Sequence, residues 1–332
     1  MSAAAYKLSA IEVPAVFAGT FYTVAVMPNG KVYLDYHYDD YHESRFAGGC
    51  SNNVYYKCLD IDISEIAQIV CDFTIYILKT DGRTVVEWNP IIGTNELIKT
   101  ETYYTFDVIY INIYIASVSH LFALSADGNI HFDDRTIIKP ITEDGDLIKA
   151  SKVVQQIDDL IIHGEDGYCY YIVDMWNERS TYTCNILLKD GKPIKLSRVE
   201  SKTGFAAGME DDGIIHLWNA DQEYSSTITD SNGDPIKMSK ICLFNDDIIG
   251  ITDKGDIHFM VENEYLKDNF PKKEDGERYK IMCADITNGK AVGIIENGDV
   301  IIWGDRLRKM KDENGDPLNI FSGRAIKSAR KC

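Results

Sequence analysis

The chain has 332 residues, 45% hydrophobic and 26% charged, which is enough apolar mass for a large core and too ordinary a mix for a disordered polymer. Its formal charge of −18 opposes phosphate backbones and anionic lipid, so direct nucleic-acid binding and a membrane surface are both disfavoured. No run approaches the ~18 apolar residues of a membrane helix, and Met1-Ser2-Ala3-Ala4-Ala5-Tyr6-Lys7 lacks the layout of a signal peptide.

The first element is the apolar stretch Val13–Gly19. A strand signal follows, Thr23-Val24-Ala25-Val26, then the turn Pro28-Asn29-Gly30 and the alternating run Val32-Tyr33-Leu34. Asn-Gly and Asp-Gly turns tolerate positive φ, so the pattern predicts a tight hairpin. The same succession recurs at Asp81-Gly82, Asp127-Gly128, Asp166-Gly167, Asp212-Gly213, Lys254-Gly255 and Asn297-Gly298, at spacings of 39 to 52 residues. After every turn glycine but Gly82, alternate positions are apolar: Val32, Ile130, Cys169, Ile215, Ile257 and Val300; in the second unit Trp88 arrives one residue late, which suggests a bulge. The opposite face carries Tyr33, His131, Tyr170, His216, His258 and Ile301. Both faces of each hairpin are therefore expected to be covered, as in a blade between neighbouring sheets.

A third strand precedes each hairpin, as in Ile66–Cys71 and Lys280–Ala284. A further repeated element reads Gly191-Lys192-Pro193-Ile194-Lys195-Leu196-Ser197 and Gly233-Asp234-Pro235-Ile236-Lys237-Met238-Ser239. Proline belongs on edge strands, so this element is expected to be the outermost strand of each blade. The fold class read from the chain is all-β: a seven-bladed β-propeller of four-stranded antiparallel blades, with hairpin turns at about 30, 82, 128, 167, 213, 255 and 298. Residues 1–332 are expected to form a single domain. The last outer element, Gly315-Asp316-Pro317-Leu318, and the segment Gly323–Arg330 have no eighth hairpin to join. They are expected to close the ring by pairing with the N-terminal blade.

The unit Val16-Phe17-Ala18-Gly19-Thr20-Phe21-Tyr22-Thr23-Val24-Ala25-Val26-Met27-Pro28-Asn29-Gly30 resembles the RCC1-type repeat, as does Val292-Gly293-Ile294-Ile295-Glu296-Asn297-Gly298-Asp299-Val300-Ile301-Ile302-Trp303-Gly304. The resemblance spans nearly the whole chain but is degenerate. The family's Gly-Gln-Leu-Gly segment is missing, its usual His survives only at His120, and Trp88, Trp176 and Trp218 are followed by Asn. It implies a non-catalytic platform for protein partners. Exchange activity on a small GTPase, known in the family, has no matching loop here. A WD-type propeller is the alternative, without that family's Gly-His opening.

Two stretches differ between copies. The insertion Asp35–Asp60 holds Tyr36, Tyr38, Tyr41, Arg45, Phe46, Tyr55 and Tyr56. Tyr and Arg dominate binding hot spots, and loops carry function on rigid scaffolds, so these are candidate partner contacts. Arg306, Arg308, Lys309 and Lys311 form a basic patch in an acidic protein. His37, Asp39, Asp40, His42 and Glu43 are of metal-ligand type, but their spacing fits no defined site. His131, His216 and His258 sit in separate blades and read as packing residues. No phosphate loop, nucleophile elbow or paired acid–base carboxylates stand out, so no catalytic residue, metal or cofactor is assigned. Eight cysteines without a Cys-x-x-Cys pair suit a reducing, intracellular setting, although Cys50 and Cys58 are close enough to pair under oxidation and Cys332 is terminal. Frequent Ile, Asn, Lys and Tyr suit an AT-rich genome. A packaged component of a large DNA virus, or a bacterial effector, is therefore a second functional class. A lectin or enzyme with a central pocket is a third.

Overall fold

A computed structural model describes residues 8–19, 22–38, 53–71, 74–90, 97–103, 108–116, 120–132, 136–156, 159–172, 181–202, 205–219, 221, 223–244, 247–260, 264–287, 289–304 and 307–322. Seven antiparallel sheets follow one another along these residues. The first comprises β1 (Ala15–Ala18), β2 (Tyr22–Val26), β3 (Val32–Tyr38) and β4 (Asn53–Leu59), and the second β5 (Ile66–Cys71), β6 (Ile75–Lys79), β7 (Thr84–Pro90) and β8 (Leu97–Tyr103). The third comprises β9 (Tyr110–Ala116), β10 (His120–Ser125), β11 (Ile130–Phe132) and β12 (Thr136–Ile141). In the fourth, β13 (Ala150–Gln156), β14 (Asp159–Gly164) and β15 (Cys169–Ile172) are followed by two short pieces. Of these, β16 (Thr181–Thr183) pairs in parallel with β12, and β17 (Asn185–Ile186) completes the fourth sheet. A small hairpin, β18 (Leu188–Lys189) and β19 (Lys192–Pro193), leads to the fifth sheet: β20 (Arg198–Lys202), β21 (Phe205–Met209), β22 (Ile215–Trp218) and β23 (Tyr224–Thr227). The sixth has β24 (Lys240–Phe244), β25 (Asp247–Ile251) and β26 (Ile257–Met260), and is followed by α1 (Glu264–Asp268). The seventh comprises β27 (Ile281–Thr287), β28 (Lys290–Ile295), β29 (Val300–Gly304) and β30 (Arg308–Lys309). These are the blades of a seven-bladed all-β propeller, mostly four-stranded, with α1 the one α-helix among the described residues.

The seven expected hairpin turns all form. Their glycines, from Gly30 to Gly298, have φ between 67° and 88°, a conformation that costs a side chain more than it costs glycine. The expected burial of both faces holds at most of the named positions, with His258 in the sixth blade only half-buried. In the fifth blade Ile215 and His216 are each 0% exposed on opposite faces of β22.

The repeated Gly-Asp-Pro element is not the outermost strand. That place belongs to the residues before it, such as β23 and β30, and the element doubles back from them: Thr229 bridges Pro235 and Lys311 bridges Pro317. The proline sits where the ladder needs no N–H from it: Ile236 N donates to Ile228 O and Asp230 N to Asp234 O on either side of the bridge. The element then caps the hairpin turn of its own blade. Leu196 N donates to Gly167 O at 2.8 Å, Met238 N to Gly213 O at 2.9 Å and Ile320 N to Gly298 O at 2.9 Å.

The described residues cluster into two compact units. One contains Tyr103–Asn263 with Asp81–Val85, and the other contains Ser9–Thr80, Val86–Thr102 and Glu264–Cys332. In the first, apolar clusters run from Tyr114, Phe122 and Leu124 through Ile161 and Val199 to Trp218, and from Ala207 and Ile215 to Ile241. In the second, the first and seventh blades meet through β1 and β27. Ala18 N donates to Asp285 Oδ2 at 2.8 Å, and Val16, Ala25, Met27 and Tyr33 pack against Val292, Ile294, Ile302 and Met310. The final outer element, ending at Leu318 and Ile320, pairs within the seventh blade through Asp299 and Asn319 and joins the same cluster. The segment Gly323–Arg330 lies outside the described residues.

Candidate functional site

The insertion leaves the first blade on β3 and returns on β4, which stay paired from Val32↔Leu59 to Tyr38↔Asn53. Asp35 and Tyr56 are direct partners in this ladder, so their side chains share a face. That face turns to the seventh blade, where Arg308 lies on β30. Arg308 Nη2 donates to Asp35 Oδ1 at 2.8 Å, and Nη1 donates to Oδ2. Tyr56 shares a hydrogen bond with Arg308 as well. Asp35 is 1% exposed, so this is a buried, bidentate pair rather than a surface contact. Burial alone would lower the Arg308 pKa, but Asp35 and Tyr56 outweigh it and hold the value above the usual arginine range. Burial raises the Tyr56 phenol, with the Asp35 charge adding to it.

This clamp joins two stretches that stand apart in the sequence, the aromatic insertion and the basic run. The remaining sequence candidates distribute around it. Tyr36 is 5% exposed and stacks on Tyr22, with ring centroids 5.2 Å apart. Tyr38 and Tyr55 lie on the backbones of β3 and β4. Tyr41, Arg45, Phe46 and Arg306 lie outside the described residues, as do Cys50, Cys332 and the run Asp39–Glu43. Lys309, on the opposite face of β30, pairs with Asp299 at 2.6 Å. Lys311 is partly buried and bridges Pro317. Among the described residues, no three His, Cys, Asp or Glu side chains gather as metal ligands would.

A second constellation lies in the fifth blade. His216, fully buried, lies with Nε2 2.5 Å from Glu210 Oε1. A carboxylate only accepts, so Nε2–H donates to it, and Nδ1 lies 2.9 Å from Thr227 Oγ1. The Tyr224 hydroxyl lies 2.7 Å from the same Thr227 oxygen, and Lys189 Nζ lies 3.8 Å from Glu210 Oε1, the oxygen that faces His216. Trp218 Nε1 donates to Leu188 O at 2.8 Å. The histidine is thus the centre of a polar network that ties the β18–β19 hairpin to the fifth blade. The sequence marks His216 and Trp218, but not Glu210, Tyr224 or Thr227, because residues of these types are common at turns and edges. His131 behaves as an ordinary core residue. It packs edge-on to Tyr110 at 5.2 Å, and burial lowers its pKa.

No family model matches the chain, and no curated protein matches it in sequence. Among solved structures it is similar to the CRINKLY WD40 ectodomain of the receptor kinase ACR4 from Arabidopsis thaliana, at 10% identity over 95% of this chain and 98% of that one, with a TM-score of 0.49. It is also similar to yeast RCC1 (Prp20) in the complex with Kap60, at 10% identity over 94% and 75%, with a TM-score of 0.42. The computationally designed Ika8 protein is a third, at 13% identity over 95% and 92%, with a TM-score of 0.45. Its neighbours thus include both RCC1 and WD40 proteins.

Proposed function

We propose that the chain is a non-catalytic protein-interaction scaffold whose partner contacts are carried by the hairpin of the first blade, through Tyr38, Tyr41, Arg45, Phe46 and Tyr55. The observation that supports this is the buried Arg308–Asp35–Tyr56 clamp at the hairpin base. A mount fixed on both strands reduces the ordering entropy that a loose loop would lose on binding. Tyr36 and Tyr56 serve the mount. Arg308 belongs to it too, which leaves Lys309 and Lys311 as the described cations of the basic run.

The test replaces residues 39–52 by a two-residue Asn-Gly turn, leaving β3, β4 and the clamp intact. Partners cross-linked to the whole chain in its native source are quantified by mass spectrometry for both forms. At least one should fall about tenfold or more with the shortened hairpin, while the melting temperature stays within a few degrees. An unchanged partner set with an intact fold would sink the reading.

A further inference from the structure

The seam between the first and seventh blades changes character along its length. Its middle is apolar, with Ala25, Val292 and Ile302 in one cluster. One end is polar. On β27 and β28, Asp285 pairs with Val292 and Thr287 with Lys290, so all four side chains lie on one face of the seventh sheet. Asp285 reaches Ala18 N, which identifies that face as the one turned to the first blade. On the first blade, Ala18 pairs with Thr23 and Thr23 with Asp35, which puts Thr23 and Asp35 opposite Thr287 and Lys290. Lys290 Nζ crosses the seam to Tyr22 O at 3.3 Å.

The groups gathered there are unevenly matched. Asp35 is neutralised by Arg308. Asp285 accepts from Ala18 N at 2.8 Å and from Ile286 N at 2.9 Å. Lys290 has that one backbone acceptor and no carboxylate at ion-pair distance among the described residues. Thr23 and Thr287 are 0% and 1% exposed, and their hydroxyls find no hydrogen-bond partner among the described residues. An ammonium with spare donors and two unpartnered hydroxyls make a donor-rich site, and buried donors without acceptors are costly. Burial pulls the Lys290 pKa down to about 8, with the Arg308 charge adding to it, against the opposing pull of Asp35 and Cys71.

We propose that this end of the seam binds a small oxyanion, inorganic phosphate or a compact carboxylate, through the Lys290 ammonium and the Thr23 and Thr287 hydroxyls. The ligand supplies acceptors to the two hydroxyls and the spare ammonium donors, which have none among the described residues. Its site is formed by the first and seventh blades together, so occupancy ties the N-terminal blade to the C-terminal one, independently of any protein partner on the hairpin.

The experiment is calorimetric titration of the full chain with sodium phosphate and, separately, sodium malonate, at pH 7 and matched ionic strength, with thermal melts in parallel. The wild type should bind at least one of the two at a single site, and its melting temperature should rise by a few degrees at a hundredfold excess over Kd. The two arms distinguish a tetrahedral from a carboxylate ligand. K290Q and T287V should each weaken binding about tenfold or more, whereas K273Q, at an exposed ion pair elsewhere, should bind as wild type. Should K290Q fail to fold, T287V and T23V, which keep side-chain shape, carry the test. Absence of heat and of any melt shift with both anions would overturn the proposal, as would wild-type affinity in the threonine variants.

Discussion

At the scale of single residues, the strongest constraint is the Asp35–Arg308 pair. A buried pair is worth little net over a well-packed apolar replacement, but removing one partner strands the other's charge. R308L should therefore cost about 3–5 kcal/mol, while D35L/R308L should cost less than the sum of the single changes. Urea denaturation of the four-member cycle measures the difference; additivity would mean that the two side chains are not coupled. Lys290 gives a second prediction, through pH. Its pKa lies at about 8 in the fold against an ordinary 10.5, so between these values the unfolded chain binds more protons than the native one. Stability due to Lys290 therefore rises from pH 8 towards 10.5, and below pH 8 the full penalty of about 3 kcal/mol applies. The buried thiols of Cys169 and Cys184, pushed up to about 12, act in the opposite sense above their ordinary value of 9. Subtracting the urea midpoints of K290M from those of the wild type, in oxyanion-free buffer, cancels the thiols. The difference should climb between pH 7.5 and 9.5, and parallel curves would contradict the assignment.

At the scale of elements, the links between blades are set by glycines in the second strand. A Cβ on Gly250 would run into the Sδ of Met238, and one on Gly208 into Leu196 Cδ1. Met238 and Leu196 belong to the connecting elements that cap the preceding hairpins. Each connector thus inserts an apolar side chain where the next blade has none. G250A should destabilise by about 1–3 kcal/mol through overpacking, and M238A in the same chain should recover part of that loss in thermal melts. Equal losses in the single and double variants would show that the two sites are independent. This seating explains what was legible in the sequence and what was not. Turn glycines and alternating strands are local signals, and each of the seven turns stands at its expected place. The role of Gly-Asp-Pro-Ile-Lys-Met-Ser differs from the edge strand its proline suggests, because a proline signals an edge without saying which segment forms the edge strand. The parallel addition of β16 to the third blade and the helix α1 after the sixth have no periodic signature at all. The candidate site was half visible. The aromatic insertion and the basic run could each be seen as irregular, but the pairing of Asp35 with Arg308 spans nearly the whole chain, and no local pattern encodes it.

At the scale of the whole molecule, the first and last blades depend on each other. β1 is one edge of its sheet and packs on β27, although their residues lie some 267 positions apart. Val16 is 4% exposed there and belongs to the cluster shared with Val292, Ile294 and Met310. A contact between such distant segments cannot form until both are made, so its loss should be felt at both ends of the chain. V16D buries a carboxylate with no partner in that cluster and should cost about 3 kcal/mol or more. The informative measurement is native-state hydrogen exchange resolved by segment. If the seam is one cooperative unit, protection should fall together in β1–β2 and in β27–β29, while β13–β15 and β20–β22 keep theirs. Loss confined to β1 and β2 would mean that the seventh blade holds its structure without the first.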